Sequence, residues 1–228
     1  MKLSIVIPCY NESKTIEQII ERIKDCYKGQ HEIIVIDDFS TDGSREILQK
    51  LLNNKIDKLI LNQSNFGKGY SLRKGFEMAQ GDIIIIQDAD LEYDPSDYRI
   101  LLNPILDGHA DVVYGSRFMS AKETRVLYFW HTLGNKFLTT LSNMFTNLNL
   151  SDMECCYKIF RKEILDEINL NENRFGFEPE FTAKIAKLHK RIYEVGVKYY
   201  GRKYAQGKKI TWKDGFSAIR CIIKYNLF

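Results

Sequence analysis

Residues 83–94 read IIIIQDADLEYD. Four isoleucines in a row leave no polar face, which is the pattern of a strand covered on both sides, and such strands belong to parallel sheets sandwiched between helices. The apolar run then ends in Asp88, Asp90, Glu92 and Asp94. A buried strand gains nothing from acids at its tip, so the acids serve whatever lies beyond its carboxyl end. This one stretch sets two expectations together, an α/β fold and a functional rim.

Outward from it, apolar runs alternate with amphipathic segments. LSIVIP (3–8) is followed by a helix from Ser13 to about Tyr27, EIIVID (32–37) by a helix from about Gly43 to Asn53, and KLILN (58–62) by a helix from Gly69 to Ala79. The rhythm continues through DIIIIQ (82–87), a helix from about Pro95 to Leu106 opened by Asp94-Pro95, and DVVYGS (111–116). This alternation predicts a mostly parallel central sheet with helices on both faces, in which ligands bind beyond the carboxyl ends of the strands. Pro8 to Glu12, Asp37 to Asp42 and Asp88 to Glu92 then share one rim. No repeat or low-complexity linker interrupts the chain, and one domain is expected across residues 1–228. After Gly115 aromatic and basic residues become denser, which marks a substrate-facing half.

Hydrophobic residues make up 44% and charged residues 28%, enough to bury a core and far from a disordered composition. Lys plus Arg number 33 against 30 acids, a formal charge of +3, too small to argue for nucleic acid as a partner. Cys9, Cys26, Cys155, Cys156 and Cys221 have no metal-ligand spacing, and the adjacent pair is poor material for a disulfide framework. A reducing, cytoplasmic setting is expected. Residues 1–8 read as a strand rather than a signal peptide, and no apolar run reaches the roughly 18 residues that would span a bilayer.

Acids at 88, 90 and 92 point one way if the period-2 alternation of the strand continues through them. Unneutralised, they repel one another; a hard divalent cation removes that cost and completes its shell with substrate phosphates. The bland alternative is a solvated acidic turn leading into a helix. Upstream, IPCYNES ends the first strand at Pro8 and offers Asn11 or Ser13 as a helix cap, with Glu12 beside the amino end. The second strand ends in DDFSTDGS, either two acids that accept hydrogen bonds from a base or ribose or a polar loop ending in an N-cap. After the third strand comes NQSNFGKGYSLRKGF, where Gly67 and Gly69 permit close backbone approach and Lys68 places a cation near the rim. It is not a G-x-x-x-x-G-K-[ST] phosphate loop.

In this order, PCYNE (8–12), VIDDFSTDGS (35–44), NFGKG (65–69), QDADLE (87–92) and GSR (115–117) resemble the family 2 inverting glycosyltransferases, whose GT-A fold binds nucleotide sugars. DMECCYKIFRKEIL (152–165), FGFEPEF (175–181) and GRKYAQGKK (201–209) look most like the branch of dolichyl-phosphate mannose synthase and other polyprenyl-phosphate glycosyltransferases. The resemblance implies a nucleotide-sugar-binding half over 1–117 and an acceptor-side half over 118–228 that ends in an amphipathic segment. It implies that Pro8, Tyr10, Glu12, Ile36 and Asp38 surround the nucleoside, with Asp88 and Ala89 close to it. Asp88, Asp90 and Glu92 would take up Mg²⁺ or Mn²⁺. Many relatives in that branch carry Gln where this chain has Glu92, which adds a negative charge beside the diphosphate. Lys68, Arg117, Arg202 and Lys208 would serve the nucleotide sugar, the last three facing phosphate, for which a planar guanidinium is well suited. A scattered arginine is otherwise a surface residue.

The reaction so implied moves a hexose, with inversion, from a GDP- or UDP-linked sugar to a polyprenyl (dolichyl-type) phosphate, with Arg117 and Asp152 as catalytic residues. Two alternatives stay open: a saccharide hydroxyl as acceptor, in glycolipid or surface polysaccharide synthesis, and a nucleotide-sugar-binding module without turnover. Asp152 opens DMECC either as the general base that a hydroxyl acceptor needs or as the N-cap of a helix beginning near Glu154. Glu178 and Glu180, flanking Pro179 before an amphipathic helix, read equally well as acids complementing a helix dipole. His31, His109, His131 and His189 have no triad-like or H-x-x-x-H setting and are given ordinary roles. RVLYFWHTLGNKFLTTLSNMF (125–145) and WKDGFSAIRCIIKYNLF (212–228) mix aromatic with basic residues, fit for a headgroup layer, for core packing or for a homodimer. With a lipid-linked acceptor, the chain is expected to work peripherally at the cytoplasmic face of a membrane.

Overall fold

The computed structural model describes residues 1–119, 125–126, 128–202 and 212–227. Within them the apolar runs form the expected strands: β1 (Leu3–Cys9), β2 (His31–Asp37), β3 (Lys58–Leu61), β4 (Ile83–Ile86) and β5 (Val112–Ser116). Every residue of β4 and β5 is buried, as packing on both faces requires. Between them lie α1 (Ile16–Cys26), α2 (Ser44–Leu51), α3 (Lys68–Met78) and α4 (Tyr98–Leu106). α1 buries Ile16, Ile19, Ile20 and Ile23, the stripe that its spacing spells. The amphipathic segments become α5 (Phe129–Thr146) and, after α6 (Ile164–Glu167) and α7 (Phe177–Lys187), α8 (Trp212–Leu227). Two short strands, β6 (Lys158–Arg161) and β7 (Ile192–Gly196), escape the sequence reading.

The strands form one sheet in the order β3-β2-β1-β4-β6-β5-β7. β1 runs parallel to β2 and β4, β2 to β3, and β5 to β7, while β6 is antiparallel to both β4 and β5. That reversal positions the site. β6 enters the sheet with Lys158 opposite Tyr114, so the segment leading into it, which begins at Asp152, lies at the edge where β4 and β5 exit. Cys9 is opposite Asp37 and Val6 opposite Ile86, which brings the exits of β1, β2 and β4 to the same edge. One connected core extends from Leu3 to Ile222. Under the rim, the buried Gln87 accepts hydrogen bonds from Tyr98 Oη at 2.9 Å and Tyr157 Oη at 2.8 Å, which fixes where β4 stops.

Three expectations change. β4 ends at Ile86, so strand alternation does not align Asp88, Asp90 and Glu92; the chain turns through Leu91, whose φ is +61°, and the turn gathers them instead. The N-cap of α1 is Thr15, without a side-chain cap, while Asn11 and Ser13 tie to the second rim loop: Thr41 N donates to Asn11 Oδ1 at 2.8 Å and Ser13 N to Asp42 Oδ2 at 2.9 Å. No helix begins near Glu154; residues 153–154 form a turn, so Asp152 caps nothing. Asp94 does act as expected, its carboxylate accepting from Ser96 N at 2.9 Å where the next helical segment starts. All five cysteines are free. Among the described residues no helix is long and apolar enough to cross a membrane.

Candidate active site

The exits of β1, β2 and β4 each pass through a non-glycine residue of positive φ: Asn11 (+50°), Phe39 (+68°) and Leu91 (+61°). Bulky residues such as Phe and Leu rarely adopt this conformation, and they hold it where surrounding contacts fix a functional turn. Asp38, next to Phe39, does the fixing at the second exit. Its carboxylate accepts from Asn62 Nδ2 at 2.8 Å, Phe66 N at 3.0 Å and Gly67 N at 2.7 Å, which pins the glycine loop against the rim. Gly67 has φ +95°, and a Cβ there would lie 2.6 Å from the carbonyl oxygen of Asn173. Gly69 faces the carbonyl of Glu172 just as closely. The loop before α7 can therefore lie on the amino end of α3 only because both positions lack a side chain.

Between these loops opens a cavity of about 460 Å³. Pro8, Tyr10, Glu12, Asp38, Lys68, Asp88, Ala89, Asp90, Glu92, Arg117 and Arg202 line it, so the structure brings together nearly every residue singled out from the sequence. Ile36 is not among them: it is buried in β2, with its side chain under Gly75 of α3. Asp152 lies one layer below the cavity, and Lys208 falls outside the described residues. Asn65, Ser71, Arg174, Phe175 and Tyr199 also line the cavity and were missed. Arg174 and Phe175 adjoin or open the quoted FGFEPEF, and Tyr199 stands three residues before Arg202, so proximity to a motif was the available signal.

Arg202 occupies the acidic turn. Its guanidinium is 3.0 Å from Glu12 and 2.7 Å from Asp90, its backbone N–H donates to Glu92 Oε1 at 2.7 Å, and Tyr199 Oη donates to Glu92 Oε2 at 2.7 Å. Three carboxylates thus share one guanidinium. Burial, then the repulsion of Asp88 and Glu92, push the Asp90 carboxyl up to about 7, even with Arg202 beside it. Across the cavity, Lys68 Nζ is 3.1 Å from both Asp88 Oδ1 and Glu178 Oε1. Burial alone would lower that ammonium; Asp88, Cys156 and Glu178 together hold it well above its ordinary value. Glu180 has a different task on the first turn of α7, accepting from the N–H groups of Asn171 and Glu172, each at 2.8 Å, and so holding the loop against α3.

Among the described residues no three or more His, Cys, Asp or Glu side chains are arranged to hold a metal by themselves. The donor set nevertheless fits a hard cation. The turn carries a buried excess of carboxylate that one guanidinium leaves incompletely neutralised, and Mg²⁺-type ions are held through one or two carboxylates with substrate phosphates completing the shell.

Arg117 forms the far wall. Its Nε and Nη2 donate to Asp152 Oδ2 and Oδ1, both at 2.7 Å, and its backbone N–H donates to Oδ2 at 3.0 Å. Asp152 is fully buried, and its own N–H donates to Glu194 Oε1 at 3.0 Å. The Arg117 guanidinium also lies 5.2 Å from the centre of the Tyr199 ring. A second cavity of about 160 Å³ adjoins the first and shares Arg117, Tyr199 and Arg202 with it. It adds Arg125, His131, Thr132 and Asn135 to an apolar lip of Phe118, Val126 and Tyr128. His131 and Arg125 were missed, because their cavity forms only when α5 and the β5 exit come together.

The glycosyl transferase family 2 profile matches residues 4–169. Among curated proteins, an undecaprenyl-phosphate 4-deoxy-4-formamido-L-arabinose transferase of Proteus mirabilis is 30% identical, over 91% of this chain and 62% of its own length. A dolichol-phosphate mannosyltransferase of Pyrococcus furiosus is 28% identical, over 92% of this chain and 61% of its own length. This chain therefore spans just over three fifths of these relatives. The crystal structure of glucosyl-3-phosphoglycerate synthase from Mycobacterium tuberculosis, in complex with Mn²⁺, UDP and glucosyl-3-phosphoglycerate, superposes with a TM-score of 0.77. It covers 100% of this chain and 80% of that one at 18% identity, a likeness of fold. The mixed sheet is the expected GT-A fold, and the chain belongs to glycosyl transferase family 2.

Proposed function

We propose that the protein transfers a hexose, with inversion, from a nucleoside diphosphate sugar to a polyprenyl phosphate. The observation that carries this reading is the pair of adjoining cavities with Arg117, Tyr199 and Arg202 as their common wall. The larger has acids for a cation and the glycine loop, through Gly67, along its wall. The smaller combines cationic side chains with an apolar lip, which suits a phosphate on a hydrocarbon chain. The names of the relatives from Proteus mirabilis and Pyrococcus furiosus point the same way.

In this reading the nucleoside lies against Pro8, Tyr10 and Asp38, and the diphosphate faces Asp88, Asp90 and Glu92. Those acids would hold Mg²⁺ or Mn²⁺, which supplies positive charge for the departing diphosphate. Arg117, fixed on three sides by Asp152 and Tyr199, orients the acceptor phosphate beside the anomeric carbon. A phosphate monoester, with a second pKa of about 6, already carries its attacking oxyanion at neutral pH. No base is then required, in keeping with an Asp152 committed to Arg117 on both oxygens. A sugar hydroxyl would have to lose a proton, and Asp152 is poorly placed to take it. Val126, Phe129, Trp130 and Met144, on or beside α5, and Phe216 of α8 are exposed apolar side chains that would meet the headgroup layer from which the acceptor comes.

A panel of GDP- and UDP-linked hexoses crossed with a short polyprenyl phosphate, the corresponding polyprenol and free sugars tests the assignment, with Mn²⁺ and with chelator. Transfer to the lipid phosphate alone, lost in chelator, is expected. Transfer to a hydroxyl but not to the phosphate would overturn it.

A further inference from the structure

The acidic turn already holds a cation, the guanidinium of Arg202. Arg202 Nη1 donates to Glu12 Oε2 and Nη2 to Glu12 Oε1, each at 3.0 Å, and Nη2 also donates to Asp90 Oδ2 at 2.7 Å. The backbone N–H of the same residue donates to Glu92 Oε1 at 2.7 Å. The remaining oxygens of these acids are engaged as well: Glu92 N donates to Asp90 Oδ1 at 3.1 Å and Tyr199 Oη to Glu92 Oε2 at 2.7 Å. Every carboxylate oxygen of Glu12, Asp90 and Glu92 thus accepts a hydrogen bond from the protein, and most of these bonds come from residue 202.

A hard divalent ion needs some of the same oxygens, at about 2 Å. With a guanidinium nitrogen 2.7 Å from Asp90 Oδ2, ion and guanidinium would be like charges within a few ångströms, in a site with little water to screen them. The two cations are therefore alternatives on Asp90. The guanidinium also leaves one bond unmade in this position: its Nε is buried, 3.5 Å from Glu92 Oε1, and has no hydrogen-bond partner. A buried donor without an acceptor costs stability, and a phosphate oxygen would supply the acceptor with a geometry that a planar guanidinium matches. Arg202 lines both cavities, so its side chain borders the space given above to the diphosphate.

We infer that Arg202 is a built-in counter-ion that keeps divalent cations off the acidic turn until a nucleoside diphosphate draws its guanidinium onto phosphate. Metal and nucleotide then enter together, and the turn does not collect Mg²⁺ or Mn²⁺ by itself. The inference rests on the cation site proposed above and adds the control of that site.

Uptake of Mn²⁺ by the free protein, followed as loss of the EPR signal of the aqueous ion, tests this without turnover. In the absence of nucleotide, Arg202→Gln should bind Mn²⁺ about tenfold or more tightly than wild type does. Arg174→Gln removes the same charge from the same cavity, but Arg174 is largely exposed and 3.9 Å from Asp214, so its loss should move Mn²⁺ affinity by no more than about twofold. Equal affinity of wild type and a folded Arg202→Gln overturns the inference. So does an equal gain in Arg174→Gln, which would reduce the effect to the net charge of the cavity. If Arg202→Gln does not fold, the wild type decides: Mn²⁺ alone should leave its melting temperature where it is, whereas Mn²⁺ with UDP or GDP should raise it beyond the nucleotide alone, and a full rise with Mn²⁺ alone overturns the inference. The cation site has a separate arm. Nucleotide binding strengthened by Mn²⁺ leaves that site standing when the inference fails, whereas Mn²⁺ that neither strengthens nucleotide binding nor binds Arg202→Gln removes site and inference together.

Discussion

Asp90 is the residue at which stability and function pull in opposite directions. Its carboxyl is buried, repelled by Asp88 and Glu92, and held up to about 7. Asp90→Asn removes that repulsion while leaving Arg202 its contacts to Glu12 and Glu92. Transfer should fall by roughly 10²-fold or more, as on losing a preorganised electrostatic group, yet the variant should melt no lower than wild type at pH 8. A calorimetric scan beside an activity assay checks both, and a large fall in melting temperature would assign Asp90 to the scaffold. Asp152 is the reverse case. Asp152→Asn leaves the buried Arg117 guanidinium without its charged partner and should cost on the order of 3–5 kcal/mol, read as a lower urea midpoint. An unchanged midpoint would mean that the pair contributes nothing to the fold and would return Asp152 to a purely chemical role.

At the scale of elements, the contact between the glycine loop and the segment before α7 shapes one side of the cavity. Tyr70 N donates to the carbonyl of Asn173 at 3.0 Å, and Arg73 donates to the carbonyl of Glu172 at 2.5 Å. Gly69→Ala places a methyl group against the carbonyl of Glu172, and backbone cannot yield as a flexible side chain does. The expected outcome is a lower melting temperature together with weaker nucleotide binding, since Arg174 and Phe175 move with the loop; a variant that binds UDP or GDP as wild type does would separate the loop from the cavity. This layer was partly legible. The glycines and Lys68 stood out in NFGKG because few reasons exist for two glycines at a strand exit. The glycines' partners, Asn173 and Glu172, did not, because nothing local marks a backbone contact. β6 and β7 went unread for a similar reason. KIFR is four residues long, and IYEVG is only partly buried, so neither run is distinctive. By contrast, the isoleucine runs of β1, β2 and β4 declared themselves. Asp88, Asp90 and Glu92 do share one cavity, but not by the expected geometry, since a turn at Leu91 rather than a continuing strand gathers them.

Across the whole molecule, a few acids with displaced pKa values set the response to pH. Glu32, Asp42 and Glu172, whose hydrogen bonds and ion pairs outweigh burial, are lowered to about 2, so their contribution is complete above pH 5 and is lost as pH falls below about 4. Asp90 and Glu154 are raised to about 7 and about 8, so the folded state binds their protons more tightly than the unfolded chain does. Stability from these two is present at pH 5 and falls as pH rises toward 8. The melting temperature should therefore peak near pH 5 and decline toward pH 8, and Mn²⁺ with a nucleoside diphosphate should recover part of the loss at pH 8 by neutralising the acidic turn. A melting temperature rising steadily from pH 5 to 8 without ligand would contradict this charge distribution.

The proposed nucleophile is a phosphate oxygen, not a hydroxyl. ³¹P NMR of a reaction containing the preferred nucleotide sugar and a short polyprenyl phosphate observes that atom directly. The predicted result is conversion of the lipid phosphomonoester signal into a sugar phosphodiester, in step with release of nucleoside diphosphate and with the anomeric configuration opposite to that of the donor. An unchanged phosphomonoester signal while nucleoside diphosphate accumulates and a new glycoside appears on a hydroxyl would contradict it.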